Sequence, residues 1–316
     1  MHYDPLGARP EHLGRAVVSI GVFDGLHVGH RFLLDAAAAK ARELDARLIV
    51  VTFDQDPDEF FIPPEQRCGK LLGNESRLEL IARYTDALVV SVPASRELFA
   101  MEPQAFLDAL DAVARPVAVY VGCDFRFGAH AAGTVDDIAA WCAGHGSVCM
   151  PCELLERDGA PVTATRIRGL LAAGEVSQAR ELLAGRAHSV QGVVERGRGE
   201  GAGLGFATAN VALDEGSPML PAEGVYGGYG TVCGQRYAAA INVGVARTFE
   251  QATALLEAHL LDYGGGELYG QRIEVSFVQW LREPRVFASQ DELVATVTSN
   301  IEWVREHLGS GAHGTH

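Results

Sequence analysis

Histidines at positions 27 and 30 lie among glycines in the segment Gly21–Arg31, which reads GVFDGLHVGHR. An apolar, β-branched run predicts a buried strand at Val17–Gly21, and an alanine-rich stretch predicts a helix at Arg31–Leu44. His27 and His30 are three residues apart and therefore share one face of the first helical turn. Because a helix N-terminus offers unpaired N–H groups, imidazoles there could hold phosphate oxygens and stabilise the charge that develops as pyrophosphate leaves.

The ordinary interpretation of one histidine near a helix start is a capping or surface residue. Two histidines at this spacing, with Gly25 and Gly29 between the strand and the helix, make coincidence a weaker explanation. The candidate site residues of this segment are Gly21, Phe23, Asp24, Gly25, His27 and His30.

Three further segments direct polar side chains to the same edge of the predicted sheet. Thr52–Pro57 ends a second predicted strand, Ala46–Phe53, and Gly122–Gly128 follows a later one. Parallel α/β sheets bind ligands outside the carboxyl ends of their strands. Val162–Arg168 adds hydroxyls and guanidinium groups at a helix start, where charge and fork geometry suit a phosphate. The candidates here are Asp124, Arg126, Thr165, Arg166 and Arg168.

A glycine-rich segment in the C-terminal half offers a second phosphate site. Glycine occupies every second position from 197 to 205, and such a backbone can approach a phosphate closely. The hydroxyl and amide oxygens that follow could hold Mg²⁺. A flexible loop is the alternative for glycine richness alone. The candidates are Gly199, Gly201, Gly205, Thr208 and Asn210, the last two as magnesium ligands.

Glu257 is the candidate general base of the C-terminal half. It lies in the apolar stretch Leu256–Tyr263, which is typical of a strand. A carboxylate there could take the proton of a substrate hydroxyl and help it to attack a γ-phosphate. A solvated strand glutamate is the ordinary alternative.

Four residues have the spacing of a zinc site, C-x2-H-x3-C-x2-C: Cys142, His145, Cys149 and Cys152. The last two lie in a predicted strand, whose side chains alternate between faces. Reduced, partly buried thiols are therefore the favoured interpretation, with zinc as the alternative.

Composition restricts the class of protein. The chain has 316 residues, 48% of them hydrophobic, and a net charge of −15. That charge argues against general affinity for nucleic acid or for anionic membranes. No apolar stretch approaches the roughly 20 residues of a membrane span, and the N-terminus lacks a signal-peptide pattern. We therefore expect a cytoplasmic location, with neither nucleic acid nor membrane as a partner.

The pattern of predicted elements changes along the chain. Strand-like and helix-like segments alternate in the first half, which predicts a doubly wound parallel sheet. Short strands separated by glycine clusters follow, ending with Leu268–Leu281, and predict an antiparallel barrel or sandwich. A closing helix is predicted at Gln290–Leu308. We expect domains at residues 1–186 and 187–309 and a disordered tail at 310–316.

The N-terminal motifs resemble a known family. HVGH is similar to the HxGH motif of the nucleotidyltransferase superfamily. With the segments that end in Pro57, Gly128 and Arg168, it resembles the adenylyltransferase half of the bacterial bifunctional riboflavin kinase/FAD synthetase family. The resemblance implies a Rossmann-like domain that transfers an adenylyl group from ATP to FMN, with the histidines contacting the triphosphate.

The C-terminal half resembles the riboflavin kinase domain of the same family, a small antiparallel barrel with a terminal helix. GFATAN at 205–210, Gly224–Tyr226, Asn242–Phe249 and Glu257–Tyr263 match its motifs in order. The resemblance implies that Thr208 and Asn210 bind MgATP, that Glu257 is the base, and that riboflavin, FMN, FAD and ATP are substrates or products.

Several positions depart from the family pattern. Asp56 stands in place of a histidine, Ala164 in place of a serine, and Ala207 and Arg247 in place of prolines, while Glu200 interrupts the glycine-rich segment. A carboxylate near a triphosphate repels it unless a cation intervenes. The alternatives are therefore a chain with only one active half and a non-catalytic protein that binds flavin or nucleotide.

Overall fold

A computed structural model describes residues 13–63, 66–196, 208–247 and 252–309; of 245–247 and 252–255 it describes the backbone alone. The chain forms two compact units. The first comprises Met1–Cys68 and Gly73–Ala164, and the second Gly69–Leu72 and Thr165–His316.

The first unit is built on a parallel sheet of five strands in the order β3-β2-β1-β4-β5. The central strand β1 is buried along nearly its whole length because it has a neighbour on each side and helices on both faces. The strands are β1 (Arg15–Ile20), β2 (Arg47–Phe53), β3 (Leu88–Val92), β4 (Arg115–Gly122) and β5 (Val148–Cys152). A two-stranded hairpin, β6 (Glu156–Arg157) and β7 (Ala160–Pro161), follows.

Helices cover both faces of this sheet, which confirms the predicted doubly wound architecture. Leu34 of α1 and Ile81 of α3 pack on one face, whereas Leu107 of α5 and Ile138 of α6 pack on the other. The helices are α1 (Val28–Glu43), α2 (Asp58–Phe61), α3 (Asn74–Tyr84), α4 (Arg96–Phe99), α5 (Pro103–Val113) and α6 (Val135–His145).

The second unit is a closed barrel with strand order β10-β11-β12-β9-β8-β13, so of the two predicted alternatives the barrel is confirmed. Three helices accompany it: α7 (Ala164–Ala172), α8 (Val176–Leu182) and α9 (Gln290–Leu308). The strands are β8 (His188–Glu195), β9 (Ala209–Leu213), β10 (Gly224–Val232), β11 (Gln235–Arg247), β12 (Ala252–Leu260) and β13 (Arg272–Arg282).

Several predicted boundaries differ from the structure, and two of the differences have a clear physical reason. The first helix begins at Val28, not at Arg31, because the side chain of His27 caps it. The last strand begins at Arg272 instead of Leu268, because Gly270 adopts a left-handed backbone conformation (φ +76°) in the turn before it. The predicted bounds of α9 were correct, and its Ile301, Val304 and Leu308 are buried.

In the described part of the chain, no helix combines the length and the apolar character that are needed to cross a membrane.

A fully buried histidine, His188, lies at the start of β8. Its Nε2 is 2.6 Å from the carbonyl oxygen of Met219, and its ring stacks on Phe277. Burial lowers the pKa of His188 from 6.5 to about 4, although the hydrogen bond to Met219 opposes that shift. The folded barrel therefore holds this imidazole neutral under conditions in which an unfolded chain would protonate it.

This pKa shift predicts acid sensitivity of the second unit. The contribution of His188 is complete above the unfolded pKa of 6.5 and is lost as the pH falls towards the folded pKa near 4. At 1.36 kcal/mol per pKa unit the loss approaches about 3 kcal/mol. Chemical unfolding at pH 7, 6 and 5 should show a shallower pH dependence for His188→Phe than for the wild type; equal slopes would contradict this assignment.

Candidate functional site

The turn between β1 and α1 has an unusual backbone. Phe23 is left-handed (φ 58°) and immediately precedes a single turn of 3-10 helix at Asp24–Leu26, in which Gly25 is also left-handed (φ 77°). A bulky residue in this region is strained unless its side chain is held in place. The Phe23 ring is 2% exposed, and its centroid is 5.3 Å from that of His30 in an edge-on arrangement. Packing of this ring therefore stabilises the turn.

The two histidines form one stacked pair on the first turn of α1. Nδ1 of His27 accepts the backbone N–H of His30 at 3.3 Å, and the two ring centroids are 3.6 Å apart. Because Nδ1 of His27 is an acceptor here, the neutral ring carries its proton on Nε2. That N–H is a donor of the kind that binds a phosphate oxygen.

His30 is held neutral. Burial, and secondarily the neighbouring His27, lowers the pKa of His30 well below its ordinary value of 6.5. Its Nδ1 is buried and has no hydrogen-bond partner among the residues that the structure describes. An anion bound beside this ring would favour the protonated form and raise the pKa again.

Gly29 allows the pair to pack. A Cβ at this position would lie 3.1 Å from two atoms of the His27 ring and 3.2 Å from the carbonyl oxygen of Val162. Any larger residue would therefore push the capping ring away from the helix N-terminus.

The end of β4 lies on the same edge of the sheet, as predicted, because β4 is the parallel neighbour of β1. Asp124 and Arg126 follow β4, and both side chains are exposed. A Cβ at Gly122 would lie 3.0 Å from Oδ1 of Asp124, so this glycine makes room for the carboxylate at the end of the strand. The Phe125 and Phe127 rings stack at 5.8 Å and fix the segment.

The end of β2 contains a residue that sequence reasoning missed. Arg77 of α3 is 1% exposed and donates to the carbonyl oxygens of Val22 and Phe53, at 2.7 and 2.8 Å, and to the hydroxyl of Thr52 at 2.8 Å. In the sequence it resembles a surface charge on a helix. The available signal was its spacing of four residues from the apolar Ile81.

Thr165, Arg166 and Arg168 belong to the second compact unit, in the first two turns of α7. Within that unit, Nε of Arg168 donates to the carbonyl oxygen of Gly69 at 2.7 Å. Their convergence with the histidine pair stays a prediction.

In the barrel, three polar residues lie side by side on neighbouring strands. Glu257 of β12 is paired with Asn210 of β9 on one side and with Asn242 of β11 on the other. Nδ2 of Asn242 donates to Oε2 of Glu257 at 3.2 Å. Thr208 immediately precedes β9 and is half-buried. Asn242 is not among the candidates predicted from the sequence, although it lies in one of the matched motifs.

The glycine-rich candidates Gly199, Gly201 and Gly205 lie outside the described residues, as do Glu200 and Ala207.

The zinc interpretation finds no support among the described residues, where no group of His, Cys, Asp and Glu is arranged to hold a metal ion. Cys149 packs against one core cluster and Cys152 against the cluster on the opposite face of the sheet. Burial raises the pKa of the Cys149 thiol to about 11.

Comparison with known proteins assigns both halves. A family model described as FAD synthetase matches residues 9–166, and one described as riboflavin kinase matches residues 184–308. This chain belongs to the bifunctional riboflavin kinase/FMN adenylyltransferase family. The two matches follow the order of the two predicted domains.

Members of this family match almost the entire chain. The enzyme from Pseudomonas fluorescens is 33% identical over 96% of this chain and 96% of its own length. The enzyme from Escherichia coli K12 is 31% identical over 93% of each chain. A crystal structure described as a macrolide-efflux protein from Streptococcus pneumoniae, 25% identical, superposes with a TM-score of 0.83 over 96% of this chain and 98% of that one, which supports the fold.

The depressed pKa of His30 predicts that ATP binding to the first unit takes up protons. A phosphate beside the ring would raise its pKa from well below 6.5, so the affinity for ATP should decrease as the pH rises through the interval between the two values. Calorimetry in buffers of different ionisation enthalpy would measure the uptake, and His30→Asn, titrated identically, removes the contribution of this ring. Equal proton uptake by the two proteins would contradict the prediction.

Proposed function

We propose that this chain catalyses two consecutive phosphorus transfers, of which the first converts riboflavin to FMN in the barrel. The second transfers an adenylyl group to FMN in the N-terminal unit and yields FAD. ATP is the co-substrate of both reactions. The observation that carries the proposal is that one chain of this family contains both the stacked His27–His30 pair and the Asn210–Glu257–Asn242 row.

In the kinase reaction, Glu257 accepts the proton of the riboflavin hydroxyl while the hydroxyl oxygen attacks the γ-phosphorus of ATP, and ADP leaves. Asn242 orients the carboxylate through its 3.2 Å hydrogen bond to Oε2. Because Oε2 is held, the position of Oε1, the proposed proton acceptor, is also restricted. This arrangement supports the role of Glu257 as the base.

Thr208 and Asn210 are the proposed Mg²⁺ ligands of the kinase. Asn210 is paired with Glu257, and Thr208 lies two residues before Asn210 in the chain. Their hydroxyl and amide oxygens form an all-oxygen donor set, which suits a hard cation. When bound, Mg²⁺ would neutralise charge on the phosphates of ATP. The proposed nucleotide contacts of the kinase also include Gly199, Gly201 and Gly205.

In the adenylyl transfer, a phosphate oxygen of FMN attacks the α-phosphorus of ATP and pyrophosphate leaves. His27 and His30 donate hydrogen bonds to the triphosphate and stabilise the charge that develops on the leaving group. Gly21, Phe23, Asp24 and Gly25 form the turn that aims them, and the remaining proposed contacts come from Asp124, Arg126, Thr165, Arg166 and Arg168.

The functional division near residue 186 and a cytoplasmic location are part of this proposal. The cytoplasmic location is supported by the six cysteines, which are all free thiols.

One assay tests the function as a whole. Purified protein is incubated with riboflavin, ATP and MgCl₂, and riboflavin, FMN and FAD are separated by chromatography. We expect FMN to appear first and FAD to follow. Accumulation of FMN alone would identify a chain with only one active half, and unchanged riboflavin would identify a binding protein.

Removing the histidine pair separates the two activities. His27→Ala with His30→Ala should reduce FAD formation from FMN by about 10²-fold or more, because the donors to the leaving group are lost. FMN formation from riboflavin, measured in the same preparation, should stay within about twofold of the wild type. Equal loss of both reactions would refute the two-site assignment.

Substituting the proposed base has the opposite effect. Glu257→Gln preserves size and a hydrogen bond to Asn242 but cannot accept a proton, so riboflavin phosphorylation should fall about 10²–10⁴-fold. FAD formation from supplied FMN should be unaffected. Asn242→Ala should lower kcat by a smaller factor with little effect on adenylyl transfer. Unchanged kinase turnover in Glu257→Gln would remove this residue from the role.

A further inference from the structure

Arg77 is the only arginine among the fully buried side chains of the described residues. Burying an uncompensated guanidinium is strongly unfavourable, so such a group is retained only with several hydrogen bonds. Arg77 uses its planar fork to reach three acceptors, two of them backbone carbonyl oxygens.

Those acceptors lie on two different strand ends. The carbonyl of Val22 belongs to the strained turn after β1, which leads to the histidine pair. The hydroxyl of Thr52 and the carbonyl of Phe53 end β2 and lead to Asp54 and Asp56. The Thr52 hydroxyl also donates to Val22 at 3.2 Å, which closes the junction. One side chain thus ties together the two loops at this edge of the sheet.

The positive charge of Arg77 is attracted by a group of carboxylates. Burial lowers the pKa of Arg77, and the attraction of Asp56, Asp24, Asp54 and Glu59 counters that effect, with Asp56 the strongest of the four. Asp56 is the position at which the family pattern has a histidine. This chain therefore has an additional negative charge at the proposed phosphate site, and the buried guanidinium of Arg77 attracts it.

We propose that Arg77 is a positioning residue for adenylyl transfer, which ties the turn after β1 to the end of β2 and offsets the charge of Asp56. The proposal rests on the function proposed above. Arg77 has no role as a group that touches the substrate; it acts through the backbone of Val22 and Phe53. Loss of the hydrogen bonds to the two loops should lower kcat, whereas loss of the positive charge should raise KM for ATP.

Substitution by lysine or by methionine distinguishes these consequences. Arg77→Lys would keep the charge but not the fork, since an ammonium group cannot bridge three acceptors in one plane. This variant should therefore lower kcat for FAD formation by about 10-fold and leave KM for ATP within about twofold. Arg77→Met loses both, so kcat should fall by about 10²-fold and KM for ATP should rise by about 10-fold.

A matched control lies on the same helix. Arg83 is exposed, and its only ion pair among the described residues is a surface contact with Glu79 at 3.4 Å. Arg83→Met makes the same chemical change and should keep wild-type kinetics. Kinase activity serves as an internal reference for each chain, and thermal melting reports the folded fraction.

A double variant tests the charge. Adding Asp56→Asn to Arg77→Met removes the unopposed carboxylate, so KM for ATP should return to within about threefold of the wild type while kcat stays low. Asp56→Asn alone should change KM for ATP less than Arg77→Met does. If Arg77→Met does not fold, Arg77→Lys with and without Asp56→Asn still tests the kcat loss.

The outcomes separate this inference from the proposed function. If the wild type forms no FAD from FMN, the proposed adenylyltransferase activity is wrong. If the wild type is active and folded Arg77→Lys and Arg77→Met retain kcat within about threefold, Arg77 is not a positioning residue. If KM for ATP increases in Arg77→Met and adding Asp56→Asn does not reverse the increase, the charge assignment is wrong. If kinase activity falls in parallel with FAD formation, the substitution has only destabilised the chain.

Discussion

The hydrogen bond from the backbone N–H of His30 to Nδ1 of His27 is the constraint on which the N-terminal site depends. It starts α1 at Val28, satisfies one of the unpaired donors of the helix N-terminus, and fixes the tautomer of the capping ring. The stacked second ring follows from the same geometry. Gly29 is needed because a Cβ at this position would crowd the capping ring of His27, and the left-handed residue Phe23 lies in the turn that leads to this cap.

The barrel positions its polar groups by a different physical device, the register of antiparallel strands. Asn210, Glu257 and Asn242 lie in one row because β9, β12 and β11 are paired at these positions. A slip of one residue in either pairing would turn a member of the row to the other face of the sheet. The α/β unit thus aims its groups with a helix terminus, whereas the barrel aligns them with a ladder of backbone hydrogen bonds.

Regular elements were predictable from the sequence where local pattern and tertiary packing agree. The apolar runs predicted β1 and β2, and the spacing of Val297, Ile301 and Val304 predicted α9. The start of α1 was not predictable, because an imidazole replaced the usual capping residues. The partners of Arg77 were not predictable either, since they include backbone carbonyls more than 20 residues away in the chain. Such contacts exist only after the two strands have aligned.

Because the chain has a net charge of −15, groups within the site itself must attract a triphosphate. At the histidine pair the means are N–H donors and a helix terminus, because burial keeps His30 neutral in the absence of an anion. A neutral donor avoids the cost of burying an unpaired charge, and it gains a proton only when a phosphate arrives to stabilise it. Arg77 supplies a permanent charge at this edge, and it is already matched by carboxylates. At the histidine pair the positive charge is therefore gained only when an anion binds, whereas a proposed contact such as Arg126 is charged at all times.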